Sequence, residues 1–95
     1  MMNDKTYFQT TDKNGYPFYY EVVKSIKTFV ADEDSGETIE LNLISYKHGR
    51  PKYDLRRWRR IPKSEERMLK GFTMTKEELI AIKDGLGSID FDQIE

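Results

Sequence analysis

The chain has 95 residues, no cysteine and one histidine, and its 16 basic and 17 acidic side chains leave a formal charge of −1. That length makes one small domain whose limited core invites self-association. The missing thiols exclude disulfides and thiolate metal sites, and the lone His48 excludes a histidine cluster for metal or catalysis. No apolar run approaches a membrane span, and Met1–Thr10 lacks the charged-then-apolar layout of a signal peptide. A cysteine-free chain of this kind suits a reducing cytoplasm. Charged residues make up 35% of the chain, yet aromatic and branched residues fall in regular short runs, so a folded domain is expected.

Met1–Asp4 reads as a frayed start. Tyr7–Thr10 and Tyr16–Tyr20 flank Thr11-Asp12-Lys13-Asn14-Gly15, a polar turn signal, so residues 1–19 read as an N-terminal extension carrying a hairpin. Tyr20–Val30, rich in Val, Ile and Phe, is the first long strand. Asp32–Glu37 is an acidic Ser-Gly loop; it fails as a calcium loop because its Gly comes one position early and Leu43 stands where a Glu is required. Thr38–His48 is the second strand, with Ile39, Leu41 and Leu43 alternating with Glu40 and Asn42. Gly49-Arg50-Pro51 turns the chain.

Lys52–Arg60 is the third strand, with Tyr53 and Leu55 on one face and Lys52, Asp54, Arg56 and Trp58 on the other. Ile61–Lys70 reads as a loop opened by Pro62, with one helical turn begun by Ser64. Gly71–Met74 is a short fourth strand. Thr75-Lys76-Glu77-Glu78 matches a capping box, Leu79, Ile82 and Leu86 follow as an apolar stripe, and Gly85 or Gly87 ends the helix. Residues 89–95 form a loose acidic tail. The order predicts an α+β fold: a four-stranded curved antiparallel sheet over residues 20–88 followed by one C-terminal helix, with an extra N-terminal strand or hairpin. One helix covers only part of such a sheet, so Leu79, Ile82 and Leu86 are expected to pair with a second copy in a homodimer.

The chemistry concentrates in Lys47–Gly71, which holds ten Lys and Arg against three acids, a net of +7 in a chain whose remainder sums to −8. Tyr46, Tyr53 and Trp58 lie in or beside this stretch. Cations beside flat apolar rings suit a single-stranded nucleic acid, whose phosphates attract cations and whose unpaired bases stack. Arg56 and Trp58, two apart on a strand, share a face. No Gly-rich phosphate loop, nucleophile elbow or paired-carboxylate motif is present, so no enzyme and no cofactor are expected.

The string Pro51-Lys52-Tyr53-Asp54-Leu55-Arg56-Arg57-Trp58, followed by a basic loop and Met68-Leu69-Lys70-Gly71-Phe72-Thr73-Met74-Thr75-Lys76-Glu77-Glu78, resembles the transcriptional positive cofactor family, in particular its bacterial YdbC-type branch. The resemblance runs from about Tyr20 to Leu86. It implies a four-strand-plus-helix unit dimerising through its helices, with single-stranded DNA lying across the sheets and no enzymatic activity. It also implies a role as transcriptional coactivator or regulator, with the transcription machinery as a further partner. By position, Arg56 matches a DNA-contacting strand arginine and Trp58 falls at or next to a base-stacking aromatic. Tyr46 falls near an aromatic of the preceding strand, and Lys70 matches a basic residue entering the last strand. Residues 1–19 have no counterpart, and Glu65 and Glu66 depart from a purely basic loop.

The candidate interface is thus Tyr46, Lys52, Arg56, Trp58, Arg60, Lys63, Arg67 and Lys70. Each has a plainer reading. Trp58 suits a core position with Arg56 as its cation–π cover, and Tyr46 suits a cross-strand aromatic pair with Trp58. Asp54 suits an ion pair with Arg56 or Lys52, and the arginine run suits a charged edge strand. Two other functions remain open: an RNA-binding regulator using the same groove, and a protein-interaction module with a basic face.

Overall fold

The computed structural model describes residues 7–11 by their backbone, and residues 14–61 and 66–94 in full. Five strands, β1 (Tyr7–Thr11), β2 (Pro17–Ala31), β3 (Glu37–Tyr46), β4 (Lys52–Arg59) and β5 (Arg67–Met74), lie side by side in chain order in one antiparallel sheet. One helix, α1 (Lys76–Gly87), follows, and then a short 3-10 turn, Phe91–Gln93. The α+β class, the antiparallel sheet and the C-terminal helix are as the sequence predicts, and β1 is the extra N-terminal strand.

Four details differ. The hairpin's return strand and the first long strand are one continuous element, β2, because no breaker separates Tyr16–Tyr20 from Val22. β5 starts at Arg67, four residues earlier than expected, since Met68 pairs with Trp58 and Arg67 with Arg59. Arg67 and Lys70 are therefore strand residues, not loop cations. The β3–β4 connection turns on Lys47 and His48, both at positive φ (53° and 62°), and Gly49 closes it by donating its N–H to the Tyr46 carbonyl at 2.8 Å. The acidic tail carries the short 3-10 turn, capped by Asp90, whose carboxylate accepts from the Asp92 N–H at 3.1 Å. The helical turn expected at Ser64 and the candidate Lys63 lie outside the described residues.

β2 is irregular in a regular way. Its pairing with β3 slips between Val22 and Lys24, between Ser25 and Lys27, and between Thr28 and Val30, leaving Val23, Ile26 and Phe29 unpaired. Each slip is a bulge, which bends the strand and increases its twist. A further irregularity lies between Arg56 and Trp58, where β5 supplies Gly71 opposite Arg56. A Cβ at residue 71 would stand 1.8 Å from Arg56 Cβ and 2.5 Å from its Cα, so only glycine fits this crossing.

The β3–β4 register sorts the two faces. Leu41 sits opposite Leu55 and Leu43 opposite Tyr53 on one face; Asn42 sits opposite Asp54 and Thr38 opposite Trp58 on the other. α1 serves the first face. Its capping box is complete: Glu78 N–H donates to Thr75 Oγ1 at 3.1 Å and Thr75 N–H donates to Glu78 Oε1 at 2.8 Å. Yet none of its side chains is buried. The second face carries the core cluster of Tyr20, Ile44 and Trp58.

Candidate nucleic-acid interface

The candidate site occupies the face opposite the helix. β4 delivers Asp54, Arg56 and Trp58 to it by strict alternation, and β3 delivers Glu40, Asn42, Ile44 and Tyr46. At its centre Trp58 is fully buried, at 0% exposure, which corrects the expectation of an open stacking surface. Three elements enclose the indole: Tyr20 of β2, with ring centroids 5.9 Å apart, Ile44 of β3, and Met68 of β5. Above it lies Arg60, its guanidinium carbon 4.3 Å from the ring centroid. Trp58 is thus a core residue beneath an arginine, and the covering arginine is Arg60 rather than Arg56.

Arg56 is turned toward its own strand. Its Nε and Nη2 each donate to Asp54 at 2.6 Å, and Nη1 donates to the Leu69 carbonyl at 3.1 Å. Asp54 is wholly buried and also accepts from the Tyr46 hydroxyl at 2.5 Å. Burial works against the Arg56 charge, but the bonds to Asp54 outweigh it and raise its pKa. Burial, then the Asp54 hydrogen bond, pushes the Tyr46 phenol up. Tyr46 is therefore a half-buried donor whose ring packs 6.1 Å from Phe18 and 6.3 Å from Tyr20. Among the expectations for Asp54, the local ion pair with Arg56 is the one observed.

Arg60 makes a second, parallel arrangement. It donates to both Glu40 oxygens, at 2.7 and 3.0 Å, and reaches Glu66 at 2.9 Å. Thr38 Oγ1 and Asn42 Nδ2 donate to the same Glu40 carboxylate. Burial opposes the Glu40 charge, yet the bonds from Arg60, Thr38 and Asn42 prevail and hold its carboxyl below the usual glutamate range. A cleft of about 590 Å³ opens beside this group, lined by Ser25, Thr28, Thr38, Asn42 and Glu66 among others.

The remaining candidates lie farther out. Lys52 is exposed and pairs opposite Ile44, on the Trp58 face. Arg67 and Lys70 are exposed on β5. Arg57 and Arg59, on the Leu55 face, both pair with Glu37, at 3.5 and 2.9 Å. Sequence reasoning missed three contributors. Tyr20 and Glu40 come from other strands, β2 and β3, and only their cross-strand register joins them to the site. Lys47, whose ammonium lies 5.6 Å from the Phe18 ring centroid, reaches its place through an unexpected turn.

On the opposite face, Leu79, Ile82 and Leu86 line a groove of about 600 Å³ with Phe29, Ile39, Leu41 and Leu55. The predicted helix stripe thus faces its own sheet across an open apolar gap.

Fold and site define a small α+β protein whose antiparallel sheet carries a buried tryptophan under an ion-paired arginine. No protein-family model matches the chain. It belongs to the same family as a protein of Treponema pallidum (strain Nichols), described as uncharacterized, with which it is 38% identical over 76 residues, 79% of this chain and 84% of that protein. Among the described residues, no helix is long and apolar enough to cross a membrane.

Proposed function

We propose that this chain binds single-stranded DNA, largely without regard to sequence, as a homodimer of the transcriptional positive cofactor type. The observation that carries the reading is the pairing of cations with rings on one bulged sheet face: Arg60 over Trp58, and Lys47 over Phe18. Such surfaces suit a chain of phosphates and unpaired bases, because each base stacked on an aromatic contributes about 1–3 kcal/mol. Exposed Lys52, Arg67 and Lys70 supply cations with room to reach phosphates. The role in transcription rests on the family resemblance.

Dimerisation is supported by the unfilled side of the fold. Phe29, Phe72 and Leu86 are each more than half exposed, and Ile82 more than a third. The radius of gyration, 15.4 Å, exceeds the roughly 12 Å expected of a compact chain this long. A second copy laid against α1 and the bulged part of β2 would cover these groups.

A second reading is favoured by one observation: Arg56 and Arg60 already have carboxylate partners, Asp54 and Glu40. In that case the face would be a polar protein-docking surface. Titration of labelled oligo-dT at two salt concentrations separates the readings. Nucleic-acid binding should weaken with salt at a logarithmic slope of about −0.7 per phosphate neutralised, and matched duplex should compete poorly. Absence of binding would favour the docking surface, and equal binding of duplex would remove base stacking from the reading. Matched DNA and RNA competitors test the RNA alternative through the same groove.

A further inference from the structure

We infer that Arg60 is a gate: in the free protein it occupies the place of a stacked base on Trp58, and a phosphate chain opens it by competing with Glu66 and Glu40 for the guanidinium. The inference rests on the proposed single-strand binding and adds how the buried ring becomes available.

Four features carry it. First, the Arg60 guanidinium lies 4.3 Å from the indole centroid, the position over a ring face that a planar base would take. Second, the gate is at the surface: the Arg60 side chain is 29% exposed, whereas Trp58 beneath it is 0% exposed. Third, its two latches are unequal. Glu40 is buried and fixed by Thr38 and Asn42, while Glu66 is 43% exposed and open to screening and competition. Fourth, the buried Trp58 Nε1–H has no hydrogen-bond partner among the described residues. An unpaired buried donor calls for an explanation, and loosening of the packing around the indole on binding would let this N–H find a partner.

The adjoining cleft, lined by Arg60, Glu40 and Glu66, gives the guanidinium somewhere to move. On opening, Arg60 exchanges a carboxylate for a phosphate, and the charge-assisted bond is preserved in kind. The carboxylates therefore act as internal stand-ins for the polyanion. The gate also sets a threshold, because a lone anion offers nothing to replace the guanidinium on the ring.

The test follows the lone tryptophan by acrylamide quenching, in the wild type and in Arg60→Ala, Glu66→Gln and Glu77→Gln, with and without oligo-dT. Binding is measured separately by the anisotropy of a labelled oligonucleotide. Without nucleic acid, Arg60→Ala should raise the quenching constant several-fold and Glu66→Gln should raise it less. Glu77→Gln, an equal charge change on the helix, should leave it unmoved. Glu66→Gln should also bind oligo-dT more tightly than Glu77→Gln does, by a few-fold. Glu66→Gln alters an exposed side chain, so its result stands even where Arg60→Ala does not fold. Equal quenching across all four proteins overturns the gate. So does wild-type binding that leaves the emission and quenching of Trp58 unchanged. No binding by anisotropy would instead sink the nucleic-acid reading on which the gate depends.

Discussion

The two faces of the sheet are finished to different degrees. On the Trp58 face, Asp54, Arg56, Glu40 and Arg60 meet partners within the same chain, and the buried rings are enclosed by three strands. On the helix face, no residue of α1 is fully buried, an apolar gap of about 600 Å³ lies between it and Leu41 and Leu55, and Phe29 and Leu86 stay open to water. A small chain has too little apolar surface to complete two cores. Here the charged face is closed by specific internal bonds, whereas the apolar face stays open in the single chain, and the proposed dimer would close it.

The sharpest way to break that contrast is on the apolar side. Ile82→Asp combined with Leu86→Asp should halve the mass seen in sedimentation, from dimer to monomer, while a wild type already monomeric at tens of micromolar would refute the unfinished face. The crossing at Gly71 comes next. Gly71→Ala places a Cβ against the β4 backbone and should cost about 3 kcal/mol or more in urea unfolding, at the upper end for overpacking. On the charged side, Asp54→Asn removes the carboxylate shared by Arg56 and Tyr46. The loss should be about 3–5 kcal/mol, the range for removing one partner of a buried ion pair.

The smallest effect is a pH dependence. The Glu40 carboxyl is lowered in the folded protein, burial notwithstanding, by its bonds to Arg60, Thr38 and Asn42. A depressed carboxylate adds stability that is fully present above its unfolded pKa and is lost as pH falls through the folded one. Thermal midpoints should therefore decline as pH falls below about 4.5, the ordinary value for the group. In Arg60→Gln the decline should be shallower.

Much of this architecture is legible in residue order. Alternation in Ile39–Leu43 and Lys52–Trp58 assigns both faces correctly, and Thr75 with Glu78 announces the helix. What residue order does not show is register. Glu40 and Arg60 stand 20 positions apart, and only pairing of β3 with β4 brings them together. The same holds for Trp58: a tryptophan two positions from an arginine can face water or core, and Tyr20 and Met68, from other strands, decide for the core. The bulges at Val23, Ile26 and Phe29 carry no Gly or Pro signal, so β2 reads as an ordinary strand. The left-handed pair Lys47 and His48 is nearly silent: His is among the types enriched at positive φ, but Lys is not, and Gly49 beside them is the stronger turn signal.

The central claim is that nucleic acid lies on the charged aromatic face, and amide and indole NMR shifts during an oligo-dT titration test it most directly. Binding there predicts large changes at Trp58 Nε1–H and at the amides of Tyr46, Lys52, Arg56 and Arg60, with Leu79, Ile82 and Leu86 unmoved. Changes confined to α1 and the bulged stretch of β2, or none at all at saturating oligonucleotide, would contradict it.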